Sequence, residues 1–165
     1  MNTLSREIRQ GRPFRFLEEE AYIAIRLTAQ VMDQPWLRYL RKTEGISPGQ
    51  YNLLRILRGA GIAGRTMSEI AERMINRDPD VTRLSDRTVK LGLARRERDG
   101  QDRRVVKLFI APKGLEMLTR LDPAVEQFLK QALGGLGPKR LKQLCELLGE
   151  VRAGFREFPL QQSSM

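Results

Sequence analysis

Arginine and lysine gather in one short segment of this chain. Residues 83–107 contain Arg83, Arg87, Lys90, Arg95, Arg96, Arg98, Arg103, Arg104 and Lys107, against Asp86, Glu97, Asp99 and Asp102. Half of the net charge of +10 therefore lies in this stretch. A guanidinium stays charged at every physiological pH and offers a planar fork of N–H donors. That equipment suits phosphate oxygens and base edges, not proton transfer. The groups that catalysis needs are missing. The chain has no histidine, no glycine-rich phosphate loop and no nucleophile beside a plausible base, and its carboxylates are scattered over basic helices. The pattern excludes an enzyme and implies a binding device.

The elements that must position these cations are legible from their capping residues. Ser47-Pro48-Gly49-Gln50 has serine at an N-cap, proline at the first helical position and glutamine three residues on, so a helix is expected to start there. Tyr51, Leu54 and Leu57 supply its buried face, and Gly59, Gly61 and Gly64 are expected to end it in a flexible link. Thr66 and Glu69 repeat the capping-box spacing and predict a short helix over 68–75. Asp78-Pro79 predicts the start of the next, in which Val81, Leu84, Thr88 and Leu91 step by three, four and three and should face the core. Asp80, Thr82, Arg83, Arg87 and Lys90 then point outward, and Gly92 is placed to end the helix. Residues 93–98 and 104–110, joined through the turn dipeptide Asp99-Gly100, predict a two-stranded hairpin. Helix, turn, helix and a basic ribbon form a shape matched to a DNA groove and its flanking phosphates.

Around this centre the chain is mainly helical. Residues 1–15 hold four arginines and little apolar periodicity, which predicts a flexible basic arm. A long helix is expected over 17–41, with a stripe at Leu17, Ala21, Ala24, Thr28 and Val31 and a kink or break at Pro35. A helix beginning at Pro112 carries Leu118, Leu121, Val125, Phe128 and Ala132. A break at residues 134–138 separates it from a last helix bearing Leu141, Leu144, Leu148, Val151, Phe155 and Phe158. That seam repeats by three and four over two heptads, so pairing with another subunit is expected there. The boundaries are 1–15 for the arm, 16–45 for an N-terminal dimerisation helix region, 46–111 for the DNA-binding domain, 112–160 for C-terminal dimerisation helices and 161–165 for a disordered tail. No apolar run is long enough to span a membrane, and the first sixteen residues lack the apolar region of a secretory signal. The single Cys145 excludes an intrachain disulfide and a zinc site built on several cysteines. Beside Leu144 on the seam, it is expected to be a buried, inert thiol. A cytoplasmic protein without cofactor or metal is expected.

In order along the chain stand Thr82-Arg83, Asp86-Arg87, Gly92-Leu93, Arg96, Asp102-Arg103-Arg104, the apolar strand 105–110 and Gly114. With this set the chain resembles the MarR (multiple antibiotic resistance regulator) family of bacterial transcription regulators. It departs from the family pattern at Ile110-Ala111, usually leucine-threonine, and at Thr88, usually leucine. The resemblance implies a symmetric dimer with a winged helix-turn-helix on each subunit, its N- and C-terminal helices forming the dimer layer. It further implies a repressor of nearby genes, often released by a small phenolic or anionic ligand.

The site follows from both lines of reasoning. Asp80, Thr82, Arg83, Arg87 and Lys90 belong to the recognition helix, where Arg83 and Arg87 can each meet a base or a phosphate and Asp86 can tie up Arg83 or Lys90. Arg98, Arg103 and Arg104 form the wing, with Arg103 and Arg104 the candidates for a minor groove and Asp102 orienting one of them. Gln50, Ser68 and Arg77 are candidate phosphate contacts, although capping explains Gln50 and Ser68 equally well. Trp36, Tyr39 and Tyr51, with Arg38 and Arg41, are the candidate ligand pocket; packing is the competing account of the aromatics. Double-stranded DNA, a second copy of the chain and a small effector are the expected partners. A nucleoid-like protein without sequence preference, or a winged module binding RNA or protein, is the alternative.

Overall fold

The computed structural model describes residues 3–75, 80–99, 102 and 104–158. Its elements run α1 (Thr3–Glu7), α2 (Leu17–Thr43), α3 (Pro48–Ala60), a 3-10 turn (Gly61–Ala63), β1 (Arg65–Thr66), α4 (Met67–Arg73), α5 (Val81–Lys90), β2 (Ala94–Arg98), β3 (Val106–Ile110), α6 (Pro112–Leu133), a 3-10 turn (Gly134–Leu136) and α7 (Gly137–Glu157). The chain divides into two compact units, Met1–Leu118 and Thr119–Met165. The mainly helical architecture with a small β-wing is the expected one. No helix of the described residues is long and apolar enough to cross a membrane.

The capping residues start their helices as the spacing requires. Ser47 Oγ accepts the Gln50 N–H at 3.2 Å, and Gln50 Oε1 accepts the Ser47 N–H at 3.0 Å. Thr66 and Glu69 make the same reciprocal pair at 3.3 and 2.9 Å. Each box satisfies backbone donors that the first helical turn leaves without a partner. For α5 the cap is Asp80, whose Oδ1 accepts the Arg83 N–H at 2.9 Å. The expected Asp78-Pro79 start lies outside the described residues. The helix ends as Gly92, at φ +71°, turns the chain. Its N–H bonds the Val89 carbonyl at 2.8 Å and the Leu93 N–H bonds the Thr88 carbonyl at 3.2 Å. This pair of hydrogen bonds is the glycine-closed helix end that other L-residues adopt only with strain.

The core sits inside the winged unit. Leu53, Leu57, Ile70, Leu84 and Leu108 pack together almost without exposure. On α5 the buried residues are Val81, Leu84, Ser85 and Thr88, the i, i+3, i+4, i+7 face of a helix. Leu91, expected in the core, is 43% exposed because it is the C-cap and the helical period stops before it. Thr88 fits the core by bonding its hydroxyl to the Leu84 carbonyl at 2.8 Å.

Four other expectations are corrected. The helix α2 runs through Pro35 without a break, losing one i−4 bond there. Over Thr3–Glu7 the basic arm is helical, with Ser5 buried. The glycines after α3 do not form a flexible link: the helix includes Gly59 and is followed by a 3-10 turn and β1. That third strand was not foreseen. It pairs Arg65 with Leu108 and Thr66 with Lys107, giving an antiparallel sheet in the order β1-β3-β2.

Candidate nucleic-acid interface

The recognition helix presents the expected residues. Thr82, Arg83, Arg87 and Lys90 are all exposed on α5, and Arg83, Arg87 and Lys90 form a single 4, 3 stripe opposite the buried face. Asp80 behaves otherwise than expected. One of its oxygens caps the helix, and the other holds Arg83 Nε at 2.9 Å. Its carboxylate is therefore engaged with the helix start, and the i, i+3 spacing of Asp80 and Arg83 was the available signal. Asp86 pairs with neither Arg83 nor Lys90. It meets Arg96 of β2 at 2.5 Å, tying the recognition helix to the wing.

The wing is the ribbon of β2 and β3, edged by arginines. Arg98 and Arg104 are exposed; Arg103 lies outside the described residues. Asp102 is structural: its Oδ1 accepts the Arg104 backbone N–H at 2.9 Å and its carbonyl accepts the Val105 N–H at 2.9 Å. A side-chain oxygen bonding the N–H two residues on is the local turn that aspartate favours. Lys107 then pairs with Asp99 across the base of the loop. Arg104 thus stands where the Asp102 turn leads into β3.

The candidate phosphate contacts separate. Ser68 is exposed in the first turn of α4. Gln50 is 7% exposed and spends its carbonyl oxygen on Ser47, which corrects it to a capping residue. Arg77 lies outside the described residues. Two cations that sequence reasoning missed flank α4. Arg73 Nη1 bonds the Glu69 carbonyl at 2.9 Å, and Arg65 lies 3.8 Å from the Glu69 carboxylate. Accepting the Thr66 backbone N–H is the main cause that holds the Glu69 carboxyl below the usual glutamate range. Arg73 was legible as the last-turn cation of a short helix, whereas Arg65 needed β1.

The aromatic residues of α2 and α3 do come together. Trp36 and Tyr39 stack with centroids 5.5 Å apart, and Trp36 meets Tyr51 edge-on at 5.2 Å. Arg55, which was not foreseen, lies over the Tyr51 ring at 5.9 Å. Arg38 and Arg41 are exposed on α2. Cys145 is exposed, which overturns the expectation of a buried thiol. Its helix α7 buries no residue at all. Among the described residues no group of three or more His, Cys, Asp or Glu could hold a metal ion.

Two capped helices and an arginine-edged β-ribbon on one small core define a winged helix-turn-helix protein. The model of the MarR family matches residues 46–106. The MarR transcription factor of Planctomyces limnophilus is 34% identical, with 83% of this chain and 98% of that one covered and a TM-score of 0.61. Sco3205, a MarR family transcriptional regulator from Streptomyces coelicolor solved in complex with DNA, is 26% identical over 93% of this chain and 95% of its own, with a TM-score of 0.75. The uncharacterized HTH-type transcriptional regulator YkoM of Bacillus subtilis is 29% identical over 65% of this chain and 68% of its own. The chain belongs to the MarR family. It is a DNA-binding transcription regulator and not an enzyme.

Proposed function

We propose that the protein is a cytoplasmic, homodimeric repressor that reads a palindromic operator. The observation that carries this reading is the exposed stripe Arg83, Arg87 and Lys90 on a helix joined by Asp86–Arg96 to a wing with Arg98 and Arg104 exposed. The N-terminal end of α5 enters the major groove, where its backbone donors favour phosphate. Arg83 reads a base. Its pair with Asp80 is exposed, worth about 0–1 kcal/mol, and yields to a guanine that offers two acceptors worth about 1–3 kcal/mol of discrimination. Arg87, Lys90, Thr82, Ser68 and Arg77 hold the phosphates, and Arg98, Arg103 and Arg104 bring the wing to the minor groove.

The winged helix-turn-helix is the domain 46–111, with 16–45 and 112–160 supplying dimer contacts. Exposed apolar side chains support this on each segment: Leu17, Val31 and Met32 on α2, and Leu144, Val151 and Phe155 on α7. A small phenolic or anionic effector binds at Trp36, Tyr39 and Tyr51, with Arg38 or Arg41 meeting its charge, and releases the operator.

Selection from a random double-stranded DNA pool at physiological salt tests the reading. The expected product is a palindrome with half-sites about one helical turn apart. Tight binding without an enriched sequence would assign the protein to nonspecific packaging, and no binding would overturn the DNA reading altogether.

A further inference from the structure

The recognition helix is tied at its C-terminal end as well as to the wing. Lys113, in the first turn of α6, donates from Nζ to the Leu91 carbonyl at 2.9 Å. Leu91 is the C-cap of α5, so its carbonyl belongs to the end that helical bonds leave open. An ammonium there also meets the negative pole of the helix dipole. The Lys113 stem runs over Gly92, where a Cβ would lie 3.9 Å from Lys113 Cδ. Residues 22 apart in the chain are thereby joined at one helix end.

Two further ties tighten the joint. The Ala111 N–H bonds the Leu93 carbonyl at 3.0 Å. Gly114 comes so near the same carbonyl that a Cβ would overlap its oxygen and lie 3.1 Å from its carbon. Only glycine permits that approach. Ala111 has no side-chain oxygen with which to cap α6, so the start of this helix is fixed by the turn that closes α5. Leu93, Met117 and Leu118, flanking these residues, are buried. Every tied atom lies in the first compact unit, while α6 itself continues to Leu133 in the second.

We propose that Lys113 is a positioning residue for operator recognition. It fixes the angle between α5 and α6, and thereby the separation at which two subunits engage two half-sites at once. The inference rests on the dimeric operator reading above, because α6 opens the segment 112–160 that carries the proposed dimer contacts. Lys113 acts through α5 and does not itself read the DNA. A joint that yields leaves each recognition helix its own grip but costs the pair its fixed spacing. Two linked sites strengthen each other only where both are reachable together.

The test titrates full-length wild type, Lys113→Met and Lys113→Arg against three duplexes. These are the palindrome obtained by selection, the same palindrome with one base pair inserted at its centre, and a single half-site. Lys113→Met keeps the stem and deletes the donor at an exposed position. It should bind the half-site as the wild type does and the palindrome about tenfold more weakly. It should also lose most of the wild-type preference for the uninserted site. Lys113→Arg retains a charged donor and should restore both properties. Wild-type discrimination in Lys113→Met, or equal losses on half-site and palindrome, would overturn the role. A wild type indifferent to the inserted base pair would instead overturn the dimeric reading, and the inference with it.

Discussion

The core of the winged unit and the helix α7 carry the same sequence signal and meet opposite fates. Leu53, Leu54, Leu57 and Leu108 are completely buried in the winged unit. The seam of α7 is at least as regular, yet Leu144 is 38% exposed and Phe155 66%. Periodicity states which face of a helix is apolar; it does not state what covers that face. The winged unit closes on itself, with its charges left outward to meet a polyanion. The uncovered seam of α7 is what the proposed second subunit would bury.

The largest effect should come from breaking the closed side of this contrast. Leu57→Ala removes a fully buried side chain and is expected to cost about 2–5 kcal/mol in chemical denaturation. Phe155→Asp should do the reverse, keeping the winged fold by NMR while shifting sedimentation from dimer to monomer. A Phe155→Asp dimer as tight as the wild type would remove α7 from the subunit contact.

Next come the outward charges. Arg83→Ala is expected to lose about 1–3 kcal/mol of operator binding and to relax the preference at a single base pair. Arg104→Ala, at the exposed wing, should weaken binding to all sequences alike and reduce the salt slope by about one, with an unchanged melting temperature. Equal losses on specific and random DNA for Arg83→Ala would demote that arginine to a phosphate contact.

A smaller effect tests the start of α4, the first helix of the motif. Thr66→Ala deletes the hydroxyl that caps α4 and should cost about 1 kcal/mol by thermal unfolding. The smallest is a pH effect from the same box. The Thr66 backbone N–H, the first cause, lowers the folded-state value of Glu69, so its contribution is present above the ordinary value of about 4.3 and is lost as pH falls through the lowered one. The gap in melting temperature between wild type and Glu69→Gln should therefore shrink as the pH falls through and below the ordinary glutamate range. A gap that widens on acidification would contradict the assigned sign.

What was legible in the chain by itself is what acts within a few residues. The two capping boxes, the cationic stripe of α5, its glycine end and the β2–β3 hairpin each depend on spacings of two to five positions. Those interactions form wherever the backbone is helical or turned, so residue types suffice to announce them. Local reading did not give the continuity of α2 through Pro35 or the helix at Thr3–Glu7. Residues distant in sequence were beyond local reading. The Asp86–Arg96 tie, the pairing of Arg65 and Thr66 with β3 and the bond from Lys113 to Leu91 all depend on how α3, α5, α6 and the sheet meet over one core. Gln50 shows the same division, since its capping spacing left a phosphate contact equally open until burial assigned its side chain to Ser47. Sequence alone determined the kinds of element and the charge they display; only the tertiary structure decided which charges meet, because close packing sets those distances.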